Sequence, residues 1–361
     1  MPPQATPSGI LEWIVRSSRP HATDSASLRF ERMESQAAFR LPEVHKRLDH
    51  HDPSHWHHRG MIWDFVLSLA GAQRVLDVGP GDGWPSLLIA PHFKEVVGIE
   101  PGPRRVAVCR ANAQQMGLRK VHFEQMSAVD MTFRPGSFDG VVAATSIEQT
   151  PDPAAALSEV HRVLAAGGTL RMTHEVPELA AEPVRESIAV LRGSEPGSYL
   201  IDYVVVWTRE SEERAFLVDV RPASDGGVKR MELWATRCAD DIFPLRDPRL
   251  ERGLVRTIKA LRGPEIGKVE TYRIHHFRTE ALIKLLNKVG FGDVRCIVGG
   301  GSPAAQIGLE MIQSRRIEAA APLMDELCRG AARFGIATET TLPGNIIARK
   351  LPGRARRARA G

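Results

Sequence analysis

Cysteine is scarce in this sequence, and long apolar runs are missing. The four cysteines, at positions 109, 238, 296 and 328, are scattered and form no C-x-x-C pair. This usage excludes a disulfide framework and predicts reduced, mostly buried thiols in a cytoplasmic protein. No apolar run approaches the ~20 residues that a membrane helix needs. The first residues also lack the charged-then-apolar layout of a signal peptide. We therefore expect a cytoplasmic protein with no membrane partner.

A strong charge imbalance is also missing. The net charge is +5 at neutral pH, and part of it lies in the arginine-rich tail 351–361. The rest of the chain is close to neutral, which makes a nucleic-acid partner unlikely from composition. We expect the tail to be a disordered, solubilising terminus. Contact of the tail with nucleic acid or an anionic surface is the alternative.

The most informative stretch that is present covers residues 74–83, RVLDVGPGDG. Its apolar part predicts a buried parallel strand, and its three alternating glycines predict a sharp turn before a helix at 86–92. The turn differs from the dinucleotide fingerprint G-x-G-x-x-G, because Trp84 occupies the position of the third glycine. Asp77 places a carboxylate before the turn, which suits a cationic or amino-bearing ligand better than a pyrophosphate. A tight turn without any ligand is the alternative.

Asp77 to Gly83 matches D-x-G-x-G-x-G, and in this motif the sequence resembles the class I S-adenosylmethionine-dependent methyltransferases, specifically the small-molecule type that acts on ubiquinone and menaquinone precursors. The resemblance extends over 73–172 and more weakly over 275–350. It implies S-adenosylmethionine as the cofactor. The alternation of strands and helices independently predicts an α/β fold. We expect a doubly wound, mostly parallel, seven-stranded Rossmann-like sheet with an inserted antiparallel β cap.

Three further strand ends complete the predicted cofactor site. The strand 94–100 ends in Glu100, whose carboxylate can accept both hydroxyls of a ribose. The strand 121–124 leads to Ser127, where the family usually has an aspartate for the adenine amino group. The strand 137–145 is entered by S-F-D, as in the family. Together these features predict cofactor binding by Asp77, Gly79, Pro80, Gly81, Gly83, Glu100, Pro101, Met126, Ser127, Ala128, Thr145 and Ser146.

The acceptor side of the reaction has no motif. A methyl transfer needs positioning and, for some acceptors, a base that removes a proton. The candidates are ionisable groups at strand tips or on segments that flank the cleft: His174, Glu148, His55, His58 and His276. The histidine-rich segment 50–59 is not predicted to bind a metal, because neither Asp52 nor Asp64 completes a tetrahedral set. Its histidines either line the pocket or form a polar helix face.

Two motifs that are absent from the sequence limit the class of methyl acceptor. No [DN]-P-P-[FYW] follows the strand 137–145, and no Pro-Cys nucleophile is present, so base methylation of nucleic acid is disfavoured. The expected function is methyl transfer to carbon, oxygen or nitrogen of a small-molecule acceptor. An RNA or protein methyltransferase is the first alternative, and a non-catalytic binding or scaffold protein with this fold is the second.

The chain order predicts four parts. Residues 1–72 form a helical segment over the cleft, and residues 73–176 with 271–350 form the core. Residues 177–270 are an inserted antiparallel meander, and 351–361 are the tail. We expect the insert to cover the substrate or to form a homodimer interface. Its predicted strands are Tyr199–Thr208, Arg214–Val220 and Lys229–Thr236.

Overall fold

The computed structural model describes residues 9–23, 26–34, 49–238, 243–244, 248–341 and 344–352. The sequence also predicts a weaker helical region over 31–49; its residues 35–48, and the tail from 353 onward, lie outside the described residues. The strands are β1 (His21–Thr23), β2 (Arg74–Val78), β3 (Glu95–Glu100), β4 (Val121–Gln125), β5 (Phe138–Ala144), β6 (Leu164–Thr173), β7 (Val184–Arg192), β8 (Tyr199–Trp207), β9 (Glu212–Val220), β10 (Phe243–Pro244), β11 (Ile266–His275), β12 (Phe291–Cys296) and β13 (Asn345–Lys350).

The helices alternate with the strands in the first half of the chain and cluster near its end. They are α1 (Ile10–Ser17), α2 (Ala26–Glu34), α3 (Pro53–Ser68), α4 (Ser86–Ile89), α5 (Pro103–Gln115), α6 (Pro153–Val163), α7 (Asp225–Arg237), α8 (Pro248–Lys259), α9 (Thr279–Val289), α10 (Gly301–Gln313), α11 (Ile317–Ala320) and α12 (Met324–Ala337). Within the described ranges, none of these helices is long and apolar enough to cross a membrane.

The chain forms two compact units. One contains residues 1–41, 148–151 and 176–277, and the other contains 42–147, 152–175 and 278–361. The first unit carries a six-stranded sheet and the second a seven-stranded sheet. We call them the six-stranded unit and the seven-stranded unit.

The seven-stranded sheet has the order β12-β13-β6-β5-β2-β3-β4. Strands β2 to β6 pair in parallel, whereas β13 runs antiparallel to both β6 and β12. The apolar residues of β2 are buried, as expected for a strand covered on both faces. After β2, the chain adds β3 and β4 on one side of β2, and it then adds β5 and β6 on the other side. The predicted doubly wound sheet is thus confirmed, with its switch point between β2 and β5.

Helices α3, α10, α11 and α12 pack together in the seven-stranded unit. Trp56 of α3 is fully buried and packs in one cluster with Ile317 and Ala320 of α11. A Cβ added at Gly308 would lie 2.5 Å from the Trp56 ring, so α10 approaches the indole closely. The Asp52 side chain caps α3 by accepting the Ser54 N–H at 2.9 Å. The sequence predicts a helix from His55 to about Leu69 with Ser54 as its N-cap; the helix is confirmed, but its N-cap is Asp52.

The six-stranded sheet has the order β1-β11-β9-β8-β7-β10. Strands β7 to β11 pair antiparallel, and β1 pairs in parallel with β11. One apolar cluster joins this sheet to α1, α7 and α8. A second cluster joins it to Met33 of α2. The predicted inserted antiparallel sheet is confirmed.

One strand predicted for the insert is wrong. Lys229–Thr236 belongs to helix α7, which begins after Ser224, whose Oγ accepts the Gly227 N–H at 3.1 Å. The buried residues of this helix include Met231, Trp234 and Ala235. Their spacing of three and four residues is that of a helix face and not of a strand. The aromatic and apolar content of the segment favours a strand, but the packing of its buried residues requires a helix.

The sequence also predicts Thr279 as the N-cap of one helix and Gly167 with Gly168 as the end of another, and both predictions differ from the structure. The residue before α9 is Arg278, so Thr279 is the first helical residue and not the N-cap. The glycines at 167 and 168 lie within β6, because α6 ends at Val163 and passes directly into that strand.

Candidate cofactor site

The glycine turn follows β2 at the switch point of the seven-stranded sheet. Gly79, Gly81 and Gly83 have φ values of 73°, 61° and 110°, in the left-handed region that favours glycine. The Gly79 N–H donates to the Ile99 carbonyl at 2.9 Å, which holds the turn against β3. A Cβ added at Gly79 would lie 2.7 Å from the Ser146 Cβ. Glycine is therefore required there by both conformation and space.

Asp77 lies beneath this turn and is fully buried. Its Oδ2 accepts the Ser86 N–H at 3.1 Å and the Ser86 hydroxyl at 2.6 Å. Its Oδ1 is buried without a hydrogen-bond partner among the described residues. Burial raises the pKa of Asp77 to about 7, and the nearby Glu100 contributes in the same direction. An acceptor oxygen without a donor costs free energy, and a bound ligand with an N–H or ammonium group would remove that cost.

Glu100 ends β3 beside the turn and is 6% exposed. Its Oε2 accepts the Gly81 N–H at 3.3 Å, and its Oε1 lies 3.5 Å from the Gly102 N. The carboxylate is thus positioned by backbone donors from the turns that follow two adjacent strands. This is the position from which an acid can bind ribose hydroxyls in an open α/β sheet.

Helix α5 supports the turn from the other side. The buried Cys109 thiol donates to the Gly81 carbonyl at 3.3 Å, and the Asn112 amide donates to the Asp82 carbonyl at 3.0 Å. Burial raises the pKa of Cys109 far above its usual value, so this thiol acts as a neutral donor. No sequence motif indicates the roles of Cys109, Asn112 and Ser86 in this turn. For Ser86, its place at the start of the helix after the turn was an available signal.

The ends of β4 and β5 complete this edge of the sheet. The Met126 N–H donates to the Glu100 carbonyl at 3.2 Å, and the Ser127 Oγ lies 3.4 Å from the Val129 N. Thr145 has a positive φ of 49°, and its N–H donates to the Thr173 carbonyl at 3.1 Å. The structure therefore gathers the predicted cofactor residues at the carboxyl ends of β2, β3, β4 and β5. Their role in binding stays a prediction.

Among the predicted acceptor-side residues, His174 and His58 lie in the seven-stranded unit. His174 is 4% exposed and follows β6; its Nε2 lies 3.3 Å from the Thr279 Oγ1. The His58 ring packs edge-on against Trp84, which follows Gly83, with centroids 6.2 Å apart. Desolvation, followed by the neighbouring His57 and His55, lowers the pKa of His58. His58 is thus a neutral imidazole at neutral pH, beside the glycine turn.

The other three candidates have different surroundings. His55 also lies in the seven-stranded unit, where its Nδ1 is 3.0 Å from the Asp49 carbonyl oxygen at the start of α3. His276 belongs to the six-stranded unit, where its Nε2 lies 2.7 Å from Glu213 Oε2. Glu148 is buried in a short 3-10 turn after β5 and groups with the six-stranded unit. The structure therefore does not bring the five candidates into one unit. Their catalytic role stays a prediction.

Comparison with known proteins identifies the segment that carries this site. A family model described as "Methyltransferase domain" matches residues 76–172. Demethylmenaquinone methyltransferase from Thermus thermophilus is 33% identical over 140 residues, which cover 38% of this chain and 62% of that protein. Ubiquinone biosynthesis O-methyltransferase from Pseudomonas aeruginosa is 37% identical over 106 residues, which cover 29% of this chain and 45% of that protein.

A third relative also has a solved structure. The uncharacterized methyltransferase YcgJ from Bacillus subtilis is 34% identical over 106 residues, 29% of this chain and 42% of that protein. Its crystal structure aligns with 33% of this chain and 50% of that chain at a TM-score of 0.31 and 28% identity. The matched segment spans less than two thirds of the length of these relatives. Residues 76–172 of this chain, which carry the glycine turn, thus match a methyltransferase domain.

Proposed function

We propose that this chain, on the premise of its class I methyltransferase domain, transfers a methyl group from S-adenosylmethionine to a small-molecule acceptor. The observation that carries the donor half is the buried Asp77 Oδ1, which has no hydrogen-bond partner among the described residues. S-adenosylmethionine carries an amino group that can donate to this oxygen and a ribose whose hydroxyls suit Glu100. When bound, it supplies an electrophilic methyl group on a sulfonium.

The protein's own contribution is positioning and proton removal. The glycine turn lets the backbone approach the ligand closely, and Glu100 fixes the ribose at the adjacent strand end. His58 is a proton acceptor suited to a hydroxyl or ammonium acceptor, because its lowered pKa keeps the ring neutral. His174 is the second candidate, held by Thr279 at the end of β6.

Calorimetry with S-adenosylmethionine and S-adenosylhomocysteine tests the donor half. We expect Glu100→Gln to weaken both ligands at least tenfold, because it removes a charge-assisted acceptor. Glu95→Gln is the matched control: it lies at the opposite end of the same strand, where its carboxylate pairs with Arg74 at 2.7 Å. Equal affinities for the two variants, or no binding by the wild type, would contradict the proposal and favour a scaffold protein.

The acceptor half rests on the relatives, whose names include two enzymes of quinone synthesis. A radiolabelled-methyl assay with a cell extract, followed by separation by size, identifies the acceptor class. We expect label in the low-molecular-weight fraction. Label that stays in the large fraction and is released by nuclease or protease would establish an RNA or protein methyltransferase instead.

A further inference from the structure

The turn before α3 and helix α11 bring two histidines and a glutamate together. His50 Nε2 lies 3.4 Å from Glu318 Oε1, and His51 Nε2 lies 3.1 Å from the same oxygen. The three ligand atoms all lie within 4.8 Å of one another. The Nε2 atoms of both imidazole rings therefore point at the same carboxylate oxygen.

The two nitrogen–oxygen distances match those between ligands of a tetrahedral metal ion. Nitrogen and oxygen atoms that lie about 2.0–2.2 Å from Zn²⁺ are separated from each other by about 3.4 Å in a tetrahedron. Two imidazoles and one carboxylate form a donor set that suits Zn²⁺, Co²⁺ or Ni²⁺ better than Mg²⁺ or Ca²⁺, which prefer oxygen ligands. A water molecule would fill the fourth position at this solvent-accessible place.

The backbone on both sides of the cluster is anchored by one buried side chain. The Trp56 Nε1 donates to the His50 carbonyl at 3.0 Å, and the indole is fully buried. The same indole belongs to the apolar cluster that contains Ile317 and Ala320, which flank Glu318 on α11. The His51 N–H also donates to the Asp49 carboxylate at 2.9 Å. The ligand-bearing segments are therefore fixed without any ion.

We propose that His50, His51 and Glu318 bind a zinc-type divalent transition-metal ion, separately from the cofactor site. No local sequence pattern indicates this site, because Glu318 lies 267 residues after His51. The ion would connect the turn before α3 to α11 and so stabilise the helical part of the seven-stranded unit. This inference does not depend on the proposed methyl transfer.

Zinc binding by the full chain, freed of any affinity tag and treated with a chelator, tests the proposal. We expect titration with Zn²⁺ alone to show one site per chain and to raise the melting temperature. Glu318→Gln should weaken binding at least tenfold, and the double variant His50→Gln/His51→Gln should remove the site. These side chains are half-buried or exposed, so the variants should keep the fold, which circular dichroism checks.

Two variants control for binding at other surface groups. His122→Gln removes an exposed histidine of β4, and Glu326→Gln removes an exposed acid of α12. We expect both to bind Zn²⁺ as the wild type does. Substitution with Co²⁺ should also give the visible absorption of a four-coordinate ion, and this absorption should be lost in the double variant. Zinc binding that is absent, or unchanged by Glu318→Gln and the double variant, would overturn the proposal and leave only an imidazole–carboxylate pair.

Discussion

Buried acids have different partners in the two units. In the six-stranded unit, Asp202 accepts two hydrogen bonds from the Arg29 guanidinium at 2.9 and 2.7 Å. Glu270 contacts Arg32 and Lys268 there. In the seven-stranded unit, Asp77 accepts hydrogen bonds from Ser86 alone among the described residues, and burial raises its pKa.

We propose that this difference separates acids that stabilise the fold from acids that bind a ligand. A buried carboxylate with a cationic partner is neutralised within the protein, and removing one partner leaves a buried charge. A buried carboxylate without such a partner destabilises the unliganded fold and can recover that free energy on binding. The contrast lies between sites and not simply between units, because Asp64 and Arg171 form a buried pair within the seven-stranded unit.

The largest expected effect comes from breaking the buried pair of the six-stranded unit. Asp202→Ala leaves Arg29 buried without its partner, and both side chains are less than 10% exposed. We expect a loss of about 3–5 kcal/mol in the free energy of unfolding, measured by urea denaturation. Asp64→Ala should cost a similar amount through Arg171. A cost below about 1 kcal/mol at both positions would contradict the comparison.

In contrast to Asp202→Ala, the substitution Asp77→Asn should increase the free energy of unfolding. The folded pKa of about 7 lies above the ordinary value of 3.8, so the unfolded chain ionises first and the wild type loses stability as the pH rises between these values. The difference between the two pKa values corresponds to a destabilisation of the folded protein by about 4 kcal/mol, which is present above pH 7 and absent below pH 4. The Asn variant carries no such charge, so denaturation at pH 8 should show it to be more stable than the wild type.

The same variant should bind S-adenosylmethionine poorly, because the site loses its negative charge. Calorimetry against pH provides a second check: wild-type affinity should fall as the pH decreases below about 7, where Asp77 becomes protonated. A variant that is both less stable than the wild type at pH 8 and normal in ligand affinity would place Asp77 with the structural acids.

A smaller effect is expected from backbone crowding at the glycine turn. Gly79→Ala meets both a left-handed backbone and the Ser146 Cβ at 2.7 Å. Gly197 in the six-stranded unit has nearly the same φ, 75°, but nothing lies within 4 Å of its added Cβ. Gly197→Ala should therefore cost only about 1–2 kcal/mol for the conformation, and Gly79→Ala about 1–3 kcal/mol more.

Thermal or urea unfolding of the two glycine variants measures this difference directly. Ligand affinity should decrease for Gly79→Ala only. Equal costs for the two variants would show that the turn has room for a side chain, and that its glycines serve conformation alone.

The smallest effect is expected at an exposed ion pair. Glu12 and Arg16 are one turn apart on α1, with side chains 61% and 78% exposed. Glu12→Gln should change the free energy of unfolding by less than about 1 kcal/mol, because water screens the pair. A larger change in urea denaturation would show that pairing, and not burial, determines the cost at Asp202.

The elements that the sequence predicts correctly are those whose residues are close together in the chain. The strand, turn and helix around Asp77 are adjacent in the chain, and so are Glu100 and the strand that it ends. Prediction from the sequence failed for α7, where aromatic and apolar residues suit either period and only the packing of Met231 and Trp234 decides. It also missed Glu318, since nothing local indicates that a residue of α11 lies beside His51. Contacts between distant segments require the tertiary fold.

The position of β13 has a consequence for how the protein is made. This strand lies between β6 and β12, and its Asn345 pairs with Thr173, 172 residues earlier. During synthesis, β6 can pair with β5 on one side. Its other edge stays unpaired until residues 345–350 have been translated. An open edge of this kind is a template for pairing with other chains. Aggregation of nascent chains should therefore be most pronounced for products that stop before residue 345.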